Sequence, residues 1–170
     1  SSGDNNFFDL IKFCGAFNKP LIISTGLINL SEIRKILKIL NSIKFPQKKL
    51  AFLHCVSDYP VKDNEANLLS VSYLKDKLPI TVGLSDHALG IESSLVAVSL
   101  GAKIIEKHFT LNNNFSNFRD HKISLDPKNM SKMVTSINRV EKMLGNYSKS
   151  ISKNEKKNLN SMRRSIYFDL

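Results

Sequence analysis

The chain has 170 residues, of which 42% are hydrophobic, enough to bury one core and too few for a string of separate modules. No apolar run approaches the roughly 20 residues that cross a bilayer, and the two cysteines have neither disulfide-framework nor CxxC spacing. We therefore expect a cytoplasmic protein with no membrane partner. The net charge of +10 suits nucleic acid, headgroups or an anionic substrate, but no aromatic-interleaved basic platform accompanies it, so nucleic acid is not an expected partner.

Four β-rich runs occur along the chain, and a helix-like stretch follows each of them. They cover residues 20–25, 50–57, 80–85 and 102–110. This alternation predicts an α/β fold of right-handed βαβ units around a parallel sheet. A complete (β/α)8 TIM barrel needs about 250 residues, so we predict a barrel of which only the last four β/α units are present.

Local signals place the ends of several elements. Residues 1–4 resemble the end of a strand whose beginning is missing, and an amphipathic stretch continues through Phe17. Ser31 is the predicted N-cap of the first long helix. The last helix begins after Asp126, with Pro127 in its first turn, and stops at Gly145. A new β-like run occupies 164–168.

Alternation along the strands predicts which side chains face the barrel interior. Each inward set ends at the C-terminal edge of its strand, where the chemistry of barrel enzymes takes place. His54 and Asp86 have the opposite parity, and we expect them on the outer side. The inward sets are Ser24 and Gly26; Cys55, Ser57 and Tyr59; Ser85 and His87; Glu106 and His108.

His87 and His108 follow neighbouring strands and are candidate ligands of one catalytic divalent metal. Imidazole suits Mn, Fe, Co, Ni or Zn better than Mg or Ca. The spacing alone is not diagnostic, and structural or surface histidines are the alternative. The long connection 111–125 contains Asp120, either a partner for a substrate hydroxyl or a solvated loop acid.

Seven segments of the chain carry recognisable motifs: KPLIISTG (19–26), LHCVSDYP (53–60), NLLSVSYLK (67–75), VGLSDHALGIE (82–92), GAKIIEKHFTL (101–111), DHKISLDP (120–127) and RRS (163–165). Taken in order, they closely resemble those of the sialic acid synthases, a family that includes legionaminic, pseudaminic and spore-coat sugar synthases. The resemblance implies a transferase that condenses phosphoenolpyruvate with the open-chain aldehyde of an N-acetylated hexosamine such as N-acetylmannosamine. The products would be a nine-carbon 2-keto sugar acid and phosphate.

The resemblance also implies roles for individual residues. The two matched histidines, His87 and His108, would hold a divalent metal, manganese first, with magnesium or cobalt as alternatives. Glu106 would support this site or contact the sugar. Phosphoenolpyruvate would be bound at Ser24 and Ser85, and Asp4 matches an acidic residue in the same cleft. Three positions would surround the amino sugar: Ser57, Tyr59 and Asp120.

The sequence departs from this family in three respects. Asn117-Phe118-Arg119 replaces a Pro-Gly-Pro-like turn before Asp120. The family's early strands, which carry the catalytic glutamate and the lysines that bind phosphate and carboxylate, have no counterpart in this sequence. We expect residues 1–146 to be a partial barrel, from the end of strand 4 through helix 8. Residues 147–170 would be a basic linker to a missing antifreeze-like domain, which in the full-length protein helps to form a homodimer. Two alternatives stay open: another metal-dependent barrel hydrolase, or an inactive half-barrel that binds sugar or polyanion.

Overall fold

The structure is a computed structural model that describes residues 1–164. The β-like run expected at 164–168 lies outside the described residues, apart from Arg164. Among the described residues, no helix is both long enough and apolar enough to cross a membrane.

Four parallel strands form one sheet, in the order of the chain. They are β1 (Leu21–Ser24), β2 (Leu50–Cys55), β3 (Thr81–Asp86) and β4 (Ile105–Lys107). Each strand lies inside or within one residue of a predicted run, and the sequential parallel order confirms the α/β class with a half-barrel sheet. β4 is shorter than the predicted 102–110 because the chain leaves β3 after Lys107. From there it pairs with a later segment, through a bridge between Phe109 and Leu125.

Helices alternate with these strands, as the periodicity predicts. They are α1 (Phe8–Ala16), α2 (Leu30–Ser42), α3 (Leu69–Lys77), α4 (Glu92–Ser99), α5 (Arg119–Ile123), α6 (Pro127–Leu144), α7 (Lys153–Lys156) and α8 (Leu159–Met162). Short 3-10 helices cover Ser2–Asp4, Gln47–Lys49 and Asp63–Glu65. The strand end expected at residues 1–4 is therefore wrong, because this segment coils and its Asp4 amide donates to the carbonyl of Ser1.

The core lies between the sheet and the apolar faces of α2, α3 and α4. β2 is buried at every position, and Phe52 has no solvent exposure. Val71 of α3 and Ala97 of α4 are also completely buried. Because burial of apolar surface dominates folding, this layer fixes the position of the strand ends.

The helix ends confirm one capping prediction and correct another. Asp126 caps α6 through a hydrogen bond from the amide of Asn129, and Gly145 follows the helix with φ 57°. Ser31 is not the cap of α2. Asn29 is, because its side chain accepts the amides of Ser31 and Glu32 while the Glu32 carboxylate accepts the amide of Asn29.

Candidate active site at the C-terminal edge of the sheet

The two predicted metal ligands lie next to each other at the C-terminal edge of the sheet. His87 directly follows β3 and His108 directly follows β4, and their ring centroids are 5.3 Å apart. A cavity of about 190 Å³ is lined by Ser85, His87, Glu106, Lys107 and His108. Four of these residues, Ser85, His87, Glu106 and His108, are the ones that strand parity predicted to face inward, and Lys107 was not predicted.

The hydrogen bonds of His87 define its tautomer. Its Nδ1 lies 2.9 Å from the carbonyl oxygen of Val56. Because a carbonyl only accepts, Nδ1 carries the proton, and in the neutral ring Nε2 keeps the lone pair that could bind a metal. Burial lowers the pKa of His87, but the contacts with the Cys55 thiol and the Val56 carbonyl outweigh this and raise it above the ordinary value.

His108 differs from its neighbour in its electrostatics. Burial lowers its pKa, and the nearby carboxylates of Asp120 and Glu106 only partly oppose this shift. The neutral imidazole, which is the metal-binding form, is therefore favoured near neutral pH. The backbone carbonyl of His108 accepts the amide of Leu125 at 2.8 Å, which ties this residue to the segment before α6.

The donor set of this pair fits a divalent metal with open coordination positions. Imidazole nitrogens suit Mn and the later first-row ions. Within residues 1–164, no group of three or more His, Cys, Asp or Glu side chains could hold a metal ion. If this pair holds a metal, the described residues would supply two ligands, and water, substrate or further protein groups would take the remaining positions.

Ser85 and Glu106 form a second pair in the same cavity. They are register partners in the parallel ladder of β3 and β4, and Ser85 Oγ donates to Glu106 Oε1 at 2.6 Å. A hydroxyl that donates to a carboxylate makes a short, charge-assisted bond. This bond holds both groups on the interior face, beside the imidazoles.

Tyr59 covers the histidine pair from one side. Its ring stacks on His87 at 4.1 Å between centroids and meets His108 edge-on at 6.0 Å. On its other side, the Arg119 guanidinium lies 4.6 Å from the ring centroid. Burial raises the pKa of the Tyr59 hydroxyl, and the positive charge of Arg119 opposes this shift.

Two buried polar atoms have no hydrogen-bond partner among the described residues. They are Asp120 Oδ1, next to Arg119, and Ser57 Oγ, next to Gly26. Asp120 Oδ1 lies 3.5 Å from Nε of Arg119, an ion pair without a hydrogen bond. Ser57 Oγ lies against Gly26, and a larger residue at position 26 would clash with it, because a Cβ there would lie 2.3 Å from Ser57 Oγ.

The structure does not bring all predicted residues to the histidines. Asp4 is bonded to the hydroxyl of Ser1 and lines a different groove, between α1 and β1. Its neighbour Asn5 is buried and donates to the carbonyls of Ser24 and Gly26. Ser24 is buried at the C-terminal end of β1, and its substrate-binding role stays a prediction, as does that of Asp4.

The outer side of the same strand ends carries a buried ion pair. Asp86 faces away from the cavity, as its parity predicts, and lies 3.2 Å from Nζ of Lys107. Burial lowers the pKa of Lys107, although Asp86 opposes the shift. Sequence reasoning missed Lys107 and the contact of Arg119 with Tyr59; the only available signals were that Lys107 stands between Glu106 and His108 and that Arg119 precedes Asp120.

Comparison with known proteins identifies the family. The NeuB family matches residues 1–149. The chain belongs to the NeuB family. The N,N'-diacetyllegionaminic acid synthase of Campylobacter jejuni is 42% identical over 165 residues, which cover 97% of this chain and 49% of that protein. The N-acetylneuraminate-9-phosphate synthase of Drosophila melanogaster is 36% identical, over 80% of this chain and 36% of that protein.

Solved structures agree with this assignment. The N-acetylneuraminic acid synthetase of Leptospira borgpetersenii, a citrate complex, superposes with a TM-score of 0.85 at 36% identity, over 96% of this chain and 57% of that one. A truncated 3-deoxy-D-arabino-heptulosonate 7-phosphate synthase from Thermotoga maritima shares the fold, with a TM-score of 0.66 at 19% identity. The chain spans about half the length of the curated relatives that match over nearly all of it.

Proposed function

We propose that this chain is the part of a nonulosonic acid synthase that supplies the metal-binding imidazoles, within the last four β/α units of a (β/α)8 barrel. The reaction would join phosphoenolpyruvate to the open-chain aldehyde of an N-acetylated hexosamine, consume one water, and release a nine-carbon 2-keto sugar acid and phosphate. One observation carries the proposal: His87 and His108 share one cavity with the bonded pair Ser85 and Glu106, in a NeuB-family chain.

The histidines would hold a divalent ion, manganese first, with magnesium or cobalt as alternatives. Such an ion supplies Lewis-acid polarisation of the aldehyde oxygen. Nε2 of His87 would be a ligand, because the Val56 carbonyl holds the proton on Nδ1. Glu106 fixes the Ser85 hydroxyl, which would orient phosphoenolpyruvate beside the aldehyde.

The acceptor sugar would lie against Tyr59. An aromatic face suits the C–H side of a sugar, and Ser57 Oγ and Asp120 Oδ1, which make no hydrogen bond in the structure, offer hydrogen bonds to its hydroxyl or amide groups. A buried polar atom without a partner costs about 1–3 kcal/mol, which a ligand that supplies the partner recovers on binding. These atoms therefore support the proposal that Ser57 and Asp120 contribute to binding of the amino sugar.

A chimera tests the proposal directly. Residues 1–149 would replace the matching segment of the Campylobacter jejuni relative, and phosphate release from phosphoenolpyruvate would be followed with N-acetylmannosamine and with a 6-deoxy diacetamido sugar. We expect release that requires both a sugar and Mn2+. Because Lewis-acid stabilisation contributes several kcal/mol, His87→Ala or His108→Ala should lower kcat/KM more than about 100-fold. Lys38→Ala, at an exposed position of α2, is the control and should leave the rate unchanged.

Two results contradict the proposal. Phosphate release that needs no sugar indicates a hydrolase rather than a synthase. Full activity in both histidine variants means that the imidazoles hold no catalytic metal.

A further inference from the structure

A buried ion pair lies on the outer face of the sheet, one residue before each histidine. Asp86 and Lys107 are register partners at the last rung of the β3·β4 ladder. Their side chains are only 2% and 1% exposed, and Nζ lies 3.2 Å from Oδ2. The pair therefore joins the two strands one residue before His87 and His108, at the last register pair of β3 and β4 in the described part of the chain.

Hydrogen bonds from this pair hold the backbone of Ala88, the residue that follows His87. Asp86 Oδ1 accepts the amide of Ala88 at 3.0 Å, so the carboxylate closes a turn around His87. Lys107 Nζ donates to the carbonyl of the same Ala88, which brings the turn onto β4. Asp86 Oδ2 also accepts the hydroxyls of Ser93 at 2.6 Å and Ser94 at 2.7 Å, which anchors the turn to α4.

Stability alone does not account for a charged pair at this place. Removing an ammonium and a carboxylate from water costs much of what their attraction returns, and replacing a buried pair by apolar side chains of similar volume is often neutral or stabilising. The hydrogen-bonded pair does supply fixed geometry, because each donor and acceptor has a defined partner. Because His87 and His108 are the next residues along each strand, the pair is placed to fix the backbone from which these two side chains extend.

We propose that Asp86 and Lys107 are positioning residues that set the separation and orientation of His87 and His108, so that both imidazoles bind one divalent ion. The inference rests on the metal site of the proposed function and deepens it. Neither residue would touch the ion. Their effect would pass through the backbone of the His87 turn and through the end of β4.

The test measures metal binding by this chain itself, with Cu2+ as the probe because it binds imidazole most tightly among the first-row divalent ions. Dissociation constants come from titration, and the nitrogen hyperfine pattern of the electron paramagnetic resonance spectrum reports how many imidazoles coordinate. The key variant carries Asp86→Leu and Lys107→Met together. We expect a lower unfolding midpoint, because the Ala88 amide and the Ser93 and Ser94 hydroxyls lose their acceptor. At a temperature where this variant is fully folded, we expect a dissociation constant about 10- to 100-fold higher and loss of the two-nitrogen pattern.

The chain offers a matched control, since Asp9 and Lys12 form an exposed ion pair on α1. Asp9→Leu with Lys12→Met makes the same chemical change away from the site and should leave Cu2+ binding unchanged. Lys107→Arg keeps the charge and a donor, and affinity within threefold of the wild type is expected. If the apolar pair does not fold, Asp86→Asn with Lys107→Gln removes both charges at similar volume and is judged by the same criteria.

The outcomes separate this inference from the function on which it rests. If the wild type binds Cu2+ through two nitrogens and the apolar pair does so with unchanged affinity, the positioning role is overturned and the metal site stands. If the double variant His87→Ala, His108→Ala binds as tightly as the wild type, the metal site and the inference fail together. Weaker binding by the apolar pair, measured well below its unfolding midpoint, supports the positioning role.

Discussion

Gly83→Ala tests how tightly the strands that carry the histidines are packed. A Cβ at position 83 would lie 2.4 Å from the carbonyl oxygen of Ile104 and 2.6 Å from Cδ2 of Leu53. The leucine methyl can rotate, but the carbonyl belongs to the backbone and accepts the amide of Leu84 at 2.9 Å. Overpacking costs about 1–3 kcal/mol, and a weakened hydrogen bond adds about 1 kcal/mol. We expect a loss near the upper end, about 3 kcal/mol of unfolding free energy.

Urea unfolding followed by circular dichroism measures this loss, with Gly3→Ala as the matched control. A Cβ at Gly3 meets only the hydroxyl of Ser1 at 3.7 Å, an ordinary contact, so that variant should stay within about 0.5 kcal/mol of the wild type. A loss below about 1 kcal/mol for Gly83→Ala would refute the reasoning. It would mean that the start of β4 moves away from β3 at little cost.

Three further measurements check local features. Asn29→Ala should cost about 1 kcal/mol of unfolding free energy because it removes the cap of α2, whereas Ser31→Ala should cost a few tenths at most; equal losses would contradict the capping box. Burial lowers the pKa of His54, so the unfolded chain takes up a proton at this residue more readily than the folded protein. The protein should therefore lose unfolding free energy as the pH falls below about 6.5, the pKa of His54 in the unfolded chain. His54→Gln should flatten this dependence in unfolding midpoints measured from about pH 5 to 8. Because Arg119 lowers the pKa of Tyr59 against the effect of burial, Arg119→Ala should raise it further in a spectrophotometric titration, with Tyr59→Phe identifying the signal, and an unchanged curve would contradict the stacking.

Periodicity predicted the strands and main helices because it reports burial on one face, and burial decides where these elements pack. It also placed Ser85 and Glu106 inward and Asp86 outward, because side chains of a strand alternate whatever the tertiary contacts. The cap of α2 was readable but misread. Glu32 stands three positions after Asn29, which is the spacing of a capping box, and only one after Ser31.

Features that depend on contacts between distant segments could not be predicted in this way. A lysine is seldom buried unless its charge is paired, and Lys107 is buried because Asp86 and the carbonyl of Ala88 accept hydrogen bonds from its ammonium. The position of Arg119 over Tyr59 depends on the path of a long loop, which has no period to read. Asp4 was assigned to the cleft by motif matching, yet it lies in a 3-10 helix and is bonded to Ser1.

The polar groups assigned to the site differ in whether they are already hydrogen-bonded. On the strand side, Ser85 and Glu106 are bonded to each other and His87 to the Val56 carbonyl, so these groups are oriented before any ligand arrives. By contrast, Ser57 Oγ beside Gly26 and Asp120 Oδ1 beside Arg119 are buried without a hydrogen bond, which costs stability and leaves their hydrogen bonds for a ligand. Preorganised groups lower the cost of the chemical step, whereas unpaired groups discriminate between ligands that can and cannot pair with them. In the proposed synthase we therefore expect the choice of acceptor sugar to depend on Ser57 and Asp120, whereas the groups at the strand ends would serve the same reaction with different sugars.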